Sequence, residues 1–268
     1  MLFDSHCHLD FAALRSDLPE QLSLAEAKGV GAWFVPGCAE RLWGPGGAAR
    51  WQEIRAAAHH RSLFFGVGQH PYFLDELTDL SGLGLQIDAA SRSPLVVAIG
   101  ECGLDKDRGG AVGKQVQVFE LHLEIARQRG LPVVCHQVGL REAFLACLKK
   151  MGSALPPLLV HGFSGDEAWA RALLSRGCLL GVGAGAIRPA RRRLHRALRG
   201  APLSRLLLET DAPDQCARPG QPPGAGRPDD LPIYCRGLAQ ILELSEGEVG
   251  RVTSGNAACF FGVPAVAS

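Results

Sequence analysis

The stretch 95–136, LVVAIGECGLDKDRGGAVGKQVQVFELHLEIARQRGLPVVCH, decides the fold. It opens on an unbroken apolar run, Leu95–Ile99, and ends on another, Pro132–Cys135. Continuous apolar runs of this length suit strands buried on both faces of a parallel sheet. Between them Val118, Leu121, Ile125 and Ala126 recur with charge interleaved, the stripe of an amphipathic helix over 113–129. Strand, helix and strand in that order make a βαβ unit.

The same alternation continues outward in both directions. Strands are predicted at Leu2–Phe3, Ala32–Val35, Leu63–Val67, Leu95–Ile99, Pro132–Cys135, Leu158–Val160, Cys178–Val182 and Leu206–Leu208. Helical patterns cover 17–28, 48–60, 76–90, 113–129, 139–151, 166–176 and 189–199, and two closing helices cover 231–244 and 246–261. Eight strands alternating with helices predict an α/β fold, a (β/α)8 TIM barrel over 1–268 as a single domain. An open doubly wound sheet is the alternative. The segment Ala212–Pro232 carries six prolines and is expected as a long loop over the rim.

Composition narrows the class. With 268 residues, 47% hydrophobic and 21% charged, the chain is neither disordered nor fibrous. Its net charge is +1, so any affinity for an anion must come from a local patch. Nine scattered cysteines without a CxxC speak against a disulfide framework and a cysteine zinc cluster. The opening Met1-Leu2-Phe3-Asp4-Ser5-His6 lacks the basic and apolar regions of a signal peptide, and no apolar run approaches the ~18 residues of a membrane helix. The expectation is a cytoplasmic, reduced enzyme with no membrane association and no obligate protein partner. GxSxG, Walker A and C2H2 spacings are absent.

The chemistry sits at strand ends. In His6-Cys7-His8 alternate residues point the same way, so two imidazoles face one side. Glu101, His136, His161 and Asp211 each follow an apolar run. Strand ends of a barrel converge on one face, so four imidazoles and two carboxylates share a pocket. That exceeds the three or four protein ligands of one catalytic zinc. Two divalent metals per chain are expected, sharing Glu101, which lies between the two ligand groups in strand order. Mixed imidazole and carboxylate ligands favour Zn, Mn or Co over Mg on softness. His70 is expected to contact substrate or a ligand carboxylate, and Asp10 and Asp105 to orient ligands. Cys7, Cys102 and Cys135 are expected as small buried hydrophobes, and His59, His60, His122 and His195 at the surface of helices.

Five blocks carry a resemblance: His6-Cys7-His8-Leu9-Asp10, Gly68-Gln69-His70-Pro71, Gly100–Asp105, His161–Gly165 and Glu209–Pro213. From Phe3 to Gly262 the chain resembles the TatD family of metal-dependent deoxyribonucleases, which are amidohydrolase-like barrels. The resemblance implies His6 and His8 with Asp211 on one metal, His136 and His161 on the other, and Glu101 bridging. It also implies that Asp211 orients or deprotonates the attacking water, and that Mg serves as metal in the family's nucleases. Three positions depart from the family pattern: Val138 replaces an Arg, Glu120 a Gln and Gly226 an Asn. The expected activity is cleavage of DNA phosphodiester bonds by a metal-activated water, with Asp211 and Glu101 as catalytic residues. A binuclear hydrolase of small amides, lactones or esters is the alternative, favoured by the near-neutral charge and Val138.

A near-neutral protein must hold DNA locally. Gly181–Arg188 is rich in glycine and is followed by Arg191, Arg192, Arg193, Arg196 and Arg199. Gly183, Gly185 and Arg188 are expected to bind phosphate, with the following helix N-terminus adding positive potential.

Overall fold

The computed structural model describes residues 1–265 except 46, 60, 61, 78, 186, 217, 219 and 223. The strands are β1 (Leu2–Asp4), β2 (Val30–Val35), β3 (Ser62–Val67), β4 (Val96–Asp105), β5 (Val133–Val138), β6 (Leu158–Val160), β7 (Leu179–Val182) and β8 (Leu206–Leu208). Between them run α1 (Ala12–Arg15), α2 (Leu18–Ala27), α3 (Glu40–Trp43), α4 (Gly47–Ala57), α5 (Leu80–Ala90) and α6 (Val112–Arg129). Next come α7 (Arg141–Met151), α8 (Glu167–Leu174) and α9 (Arg192–Arg199), while α10 (Leu231–Leu242) and α11 (Glu246–Phe261) follow β8. The strands form one eight-stranded sheet in the order β1 to β8, and Ser5 N–H beside β1 donates to Leu208 O of β8 at 3.0 Å. Sequential strands joined by helices are the topology of the expected (β/α)8 barrel.

Contacts divide the chain into two compact units. One comprises Met1–Val35, Gln52–Leu63 and the chain from His161 onward. Here β1 pairs with β2 in parallel, Phe3 opposite Ala32, and β7 pairs with β8, Gly181 opposite Leu207. The Phe261 ring of α11 lies 5.6 Å from Phe3 and 4.4 Å from Phe34, closing the core over β1 and β2. Ser245 Oγ caps α11 by accepting from Glu248 N–H. Asn256 then donates to the Leu203 and Leu206 carbonyls, both at 2.9 Å, which ties α11 to the start of β8.

The other unit comprises Pro36–Trp51 and Phe64–Val160. Here β3, β4, β5 and β6 pair in parallel in turn. Gly103 has φ +145°, and a Cβ there would collide with the His136 carbonyl of β5. Only glycine lets β4 lie this close to its neighbour. The buried Gln115 of α6 accepts from Asp105 N–H and donates to the Asp105 and Arg108 carbonyls, fixing the turn after β4.

Local expectations change. β4 runs on to Asp105 and β5 to Val138, so Glu101 and His136 lie inside strands rather than beyond them. The apolar runs stop before these polar residues, but the ladder continues because backbone pairing is indifferent to side chains. The predicted helix over 189–199 starts only at Arg192, which leaves Gly183 and Gly185 well away from a helix N-terminus. His122 is fully buried on the core side of α6, not at the surface. His60 lies outside the described residues. Among the described residues, no helix is long and apolar enough to cross a membrane.

Candidate metal centres

In the first unit, backbone pairing builds the site. His8 N–H donates to Ala212 O at 2.8 Å, Asp211 N–H to His6 O at 2.8 Å and Cys7 N–H to Phe34 O at 3.0 Å. The segment after β1 is thereby laced to the segment after β8. Cys7 is buried between the two histidines, as expected of a small hydrophobe. His6 Nε2 and His8 Nε2 stand 3.2 Å apart, and they lie 3.6 and 3.3 Å from Asp211 Oδ1. The His161 ring stacks on His6 with centroids 4.0 Å apart and planes 7° from parallel. His6, His161 and Asp211 each offer one donor atom within 4.8 Å of the others. His8, Asp211 and the exposed Asp214 form a second such set. The geometry therefore groups His161 with His6 and Asp211, where the resemblance had allotted them to different metals. Asp211 adopts φ +51°, a left-handed conformation uncommon outside glycine and concentrated at functional positions.

Two carboxylates flank this group that the sequence reading missed. Asp4 accepts from Thr210 Oγ1 at 2.6 Å, from Thr210 N–H at 2.9 Å and from His6 N–H at 3.3 Å. Burial pushes its carboxyl up to about 7 against those hydrogen bonds. Burial likewise pushes Glu209 up to about 8, with His161 and the Gly162 N–H opposing. Gly181 stands where any Cβ would strike the Glu209 carboxylate, so the β7 backbone makes room for it. Asp211 goes the other way: burial raises its carboxyl, but the hydrogen bond from His8 and the His161, His6 and His8 charges hold it well below the usual range. Gln215 Nε2 donates to Asp211 Oδ2 at 2.8 Å. A sequence signal for Asp4 and Glu209 existed, since each is an acid closing a buried apolar strand.

In the second unit, Glu101 Oε1 faces two imidazoles, His70 Nε2 at 3.1 Å and His136 Nδ1 at 3.2 Å. Cys38 Sγ donates to Glu101 Oε2 at 3.6 Å. His70, Glu101 and His136 are all buried and form another set of converging donor atoms. His70, expected to contact substrate or a ligand carboxylate, meets the Glu101 carboxylate and stands among the candidate ligands. His70 Nδ1 accepts from Tyr72 N–H at 3.0 Å, which turns Nε2 toward Glu101. His136 Nε2 meets Asp105 Oδ2 at 2.8 Å. A carboxylate behind a ligand imidazole fixes its orientation and raises its basicity. Burial raises the Asp105 carboxyl, yet the His136 contact and the Asp107 and Arg108 amides bring it down to about 2. Asp10 is buried in the turn after β1. The donor sets fit divalent cations, being buried imidazole nitrogens and carboxylate oxygens converging in threes.

The expected phosphate segment is arranged differently. Gly183 is buried and Gly185 half-buried in the turn after β7, and Arg188 is exposed and donates to Cys216 O at 3.1 Å. Arg188 therefore holds the proline-rich loop instead of flanking a helix N-terminus.

His122 supports the His70 segment from behind. Its Nδ1 donates to Val118 O at 2.7 Å and its Nε2 accepts from Gln69 N–H at 2.9 Å. Burial depresses the imidazole to about 4, so it is neutral in the fold. The unfolded chain takes up this proton near pH 6.5 while the folded chain waits until about 4. Stability is therefore full above pH 6.5 and falls through that window by up to about 1.4 kcal/mol per pH unit. His122→Leu is expected to flatten this acid slope by one proton in urea titrations. It also strands the Gln69 N–H at a cost of about 1–3 kcal/mol. An unchanged slope would show that His122 titrates as it does in the unfolded chain.

Known proteins resemble this chain across nearly its whole length. A protein-family model described as TatD related DNase matches residues 3–262. The chain is 32% identical to the metal-dependent hydrolase TatD of Mycobacterium tuberculosis, with 98% of each covered. It is also 32% identical to the 3'-5' ssDNA/RNA exonuclease TatD of Cronobacter turicensis, with 97% of each covered. The crystal structure of YjjV, a TatD homologue from Escherichia coli, matches with TM-score 0.86 and 28% identity over 98% of both chains. The fold, the buried histidine and carboxylate groups and this likeness agree: the chain belongs to the TatD family of metal-dependent hydrolases.

Proposed function

We propose that this protein is a divalent-metal-dependent nuclease that hydrolyses phosphodiester bonds of DNA, with single-stranded nucleic acid as its substrate. The observation that carries the reading is the pair of buried donor sets, His6, His161 and Asp211 in one unit and His70, Glu101 and His136 in the other. Each would hold one cation, with His8 beside the first and Asp105 orienting His136. Bound divalent cations lower the pKa of a ligated water and neutralise phosphoryl charge. Mixed nitrogen and oxygen donors suit Zn, Mn or Co, and Mg by availability.

The chain supplies the rest. Asp211 stays ionised at neutral pH, so its Oδ1 can take the proton of an attacking water, and Gln215 keeps its carboxylate in place. Arg108 stacks over the Tyr72 ring at 4.6 Å, and that ring lies 5.4 Å from His136. This guanidinium brings a cation to the second set where Val138 does not. The relative from Cronobacter turicensis, named for exonuclease action on single-stranded DNA and RNA, supports the substrate class. Nine free cysteines, eight of them buried, suit a reducing cytoplasm.

Metal analysis and cleavage of end-labelled oligonucleotides test the reading together. We expect about two divalent equivalents per chain, cleavage of single-stranded DNA, and loss of activity with chelator that added Mn or Zn restores. Chelator-sensitive hydrolysis of a small ester or lactone, with no cleavage of DNA, would establish the alternative hydrolase instead.

A further inference from the structure

Charge is strongly segregated in this near-neutral chain. From Ala168 to Leu208 there are nine arginines and no carboxylate, although the whole chain carries only +1. The helix α9 concentrates the effect. Leu194, Ala197 and Leu198 face the core, and Arg192, Arg193, Arg196 and Arg199 are exposed. With α10 it borders a groove of about 690 Å3. Arg192, Arg196, Arg199 and Arg236 line this groove, together with Ile187 and Ile233. Among the described residues, no carboxylate lines it. Arg199 Nε donates to the Ile241 carbonyl at 2.9 Å, which fixes one wall. Arg196 and Arg236 pair with Glu167 at 3.7 Å and Glu246 at 3.0 Å, neither of which lines the groove, and such exposed pairs hold an arginine only weakly.

Chain neighbours and hydrogen bonds lead from the groove toward the first donor set inside one unit. Gln215 bonds Asp211, the adjacent Cys216 carbonyl accepts from Arg188, and Ile187 beside it lines the groove. We propose that the groove is a second binding site for the sugar-phosphate backbone of single-stranded nucleic acid, which it holds while the strand's end lies at Asp211. A row of guanidinium forks matches successive phosphates rather than one isolated anion. The exposed Ile233 adds apolar surface that can meet base faces, which a single strand presents and a duplex hides. This inference rests on the nuclease reading for the placement of the strand's end, and on the groove itself for binding.

The test is the triple variant Arg192→Ala/Arg196→Ala/Arg236→Ala, which spares Arg199 and its carbonyl bond. Binding is measured by anisotropy with a fluorescein-labelled phosphorothioate oligothymidylate, and turnover with long oligothymidylate and with a thymidine dinucleotide. We expect the triple variant to raise Kd and KM for the long strand about tenfold or more. It should lower the salt slope of binding by about two units, since each phosphate contact on a single strand contributes about 0.7. Turnover of the dinucleotide should stay unchanged, and the matching Arg→Lys triple variant should keep most of the salt slope. An unchanged Kd and salt slope in the alanine triple would overturn the groove, as would a wild type that fails to bind the strand at low salt. A wild type that binds through the groove but cleaves neither substrate would overturn the nuclease reading and leave the groove standing.

Discussion

Glu101→Ala is expected to take bound divalent metal from two equivalents per chain to one or none and to bring hydrolysis below detection. The side chain is buried inside β4, with one oxygen 3.1 Å from His70 and 3.2 Å from His136. Removing it leaves two buried imidazoles with no anionic oxygen between them, and neutral nitrogens alone do not offset a divalent charge. Glu101→Gln should do nearly the same, because an amide cannot supply the two anionic oxygens of a shared carboxylate. Metal content by mass spectrometry separates the roles. Loss of one equivalent makes Glu101 a ligand of its own set, and loss of both makes it the shared carboxylate that the strand order implied. Full occupancy with full activity in either variant would refute the metal assignment. A carboxylate serving only as a cap would instead cost about 1 kcal/mol of stability with chemistry intact.

What the sequence disclosed follows its physics. Apolar runs such as Leu158–Val160 and Leu206–Leu208 became strands at the predicted bounds, because a strand buried on both faces has no polar alternative. Helix ends were harder, since they depend on caps rather than on periodicity. The helix predicted from 76 begins at Leu80, where Asp79 accepts from the Ser81 and Gly82 amides. His6 and His8 drew notice as alternating imidazoles on one side of an extended chain, and Glu101, His136, His161 and Asp211 as polar residues just past apolar runs. Their grouping was not visible, because it depends on backbone links such as Asp211 N–H to His6 O between residues far apart in sequence. His122 was misread for a related reason. Helical spacing tells which residues share a face, and a lone histidine on that face looks solvated until a buried amide such as Gln69 N–H is seen to need it.

Asp211→Asn is expected to preserve the fold and much of the metal content while cutting turnover by about 10²–10⁴-fold. The carboxylate lies 3.3 Å from His8 and 3.6 Å from His6, and Gln215 donates to its second oxygen at 2.8 Å. An amide fits the same space and keeps an oxygen for one of these contacts, so the set loses a charge rather than its shape. It cannot accept a proton at neutral pH, and proton acceptance is the step assigned to Asp211. The left-handed backbone at φ +51° favours the swap as a test, because Asn tolerates that region as Asp does. Asp211→Ala would confound lost chemistry with backbone strain. The decisive readout is kcat at saturating metal, taken with metal content and thermal melting. A variant that holds its metal, melts like the wild type and turns over at the wild-type rate would place water activation elsewhere, with Asp214, Asp4 and Glu209 the neighbouring carboxylates in the same unit. A variant that loses its metal in proportion to its activity would make Asp211 a ligand first, and the proton acceptor would then have to be sought among the same three acids.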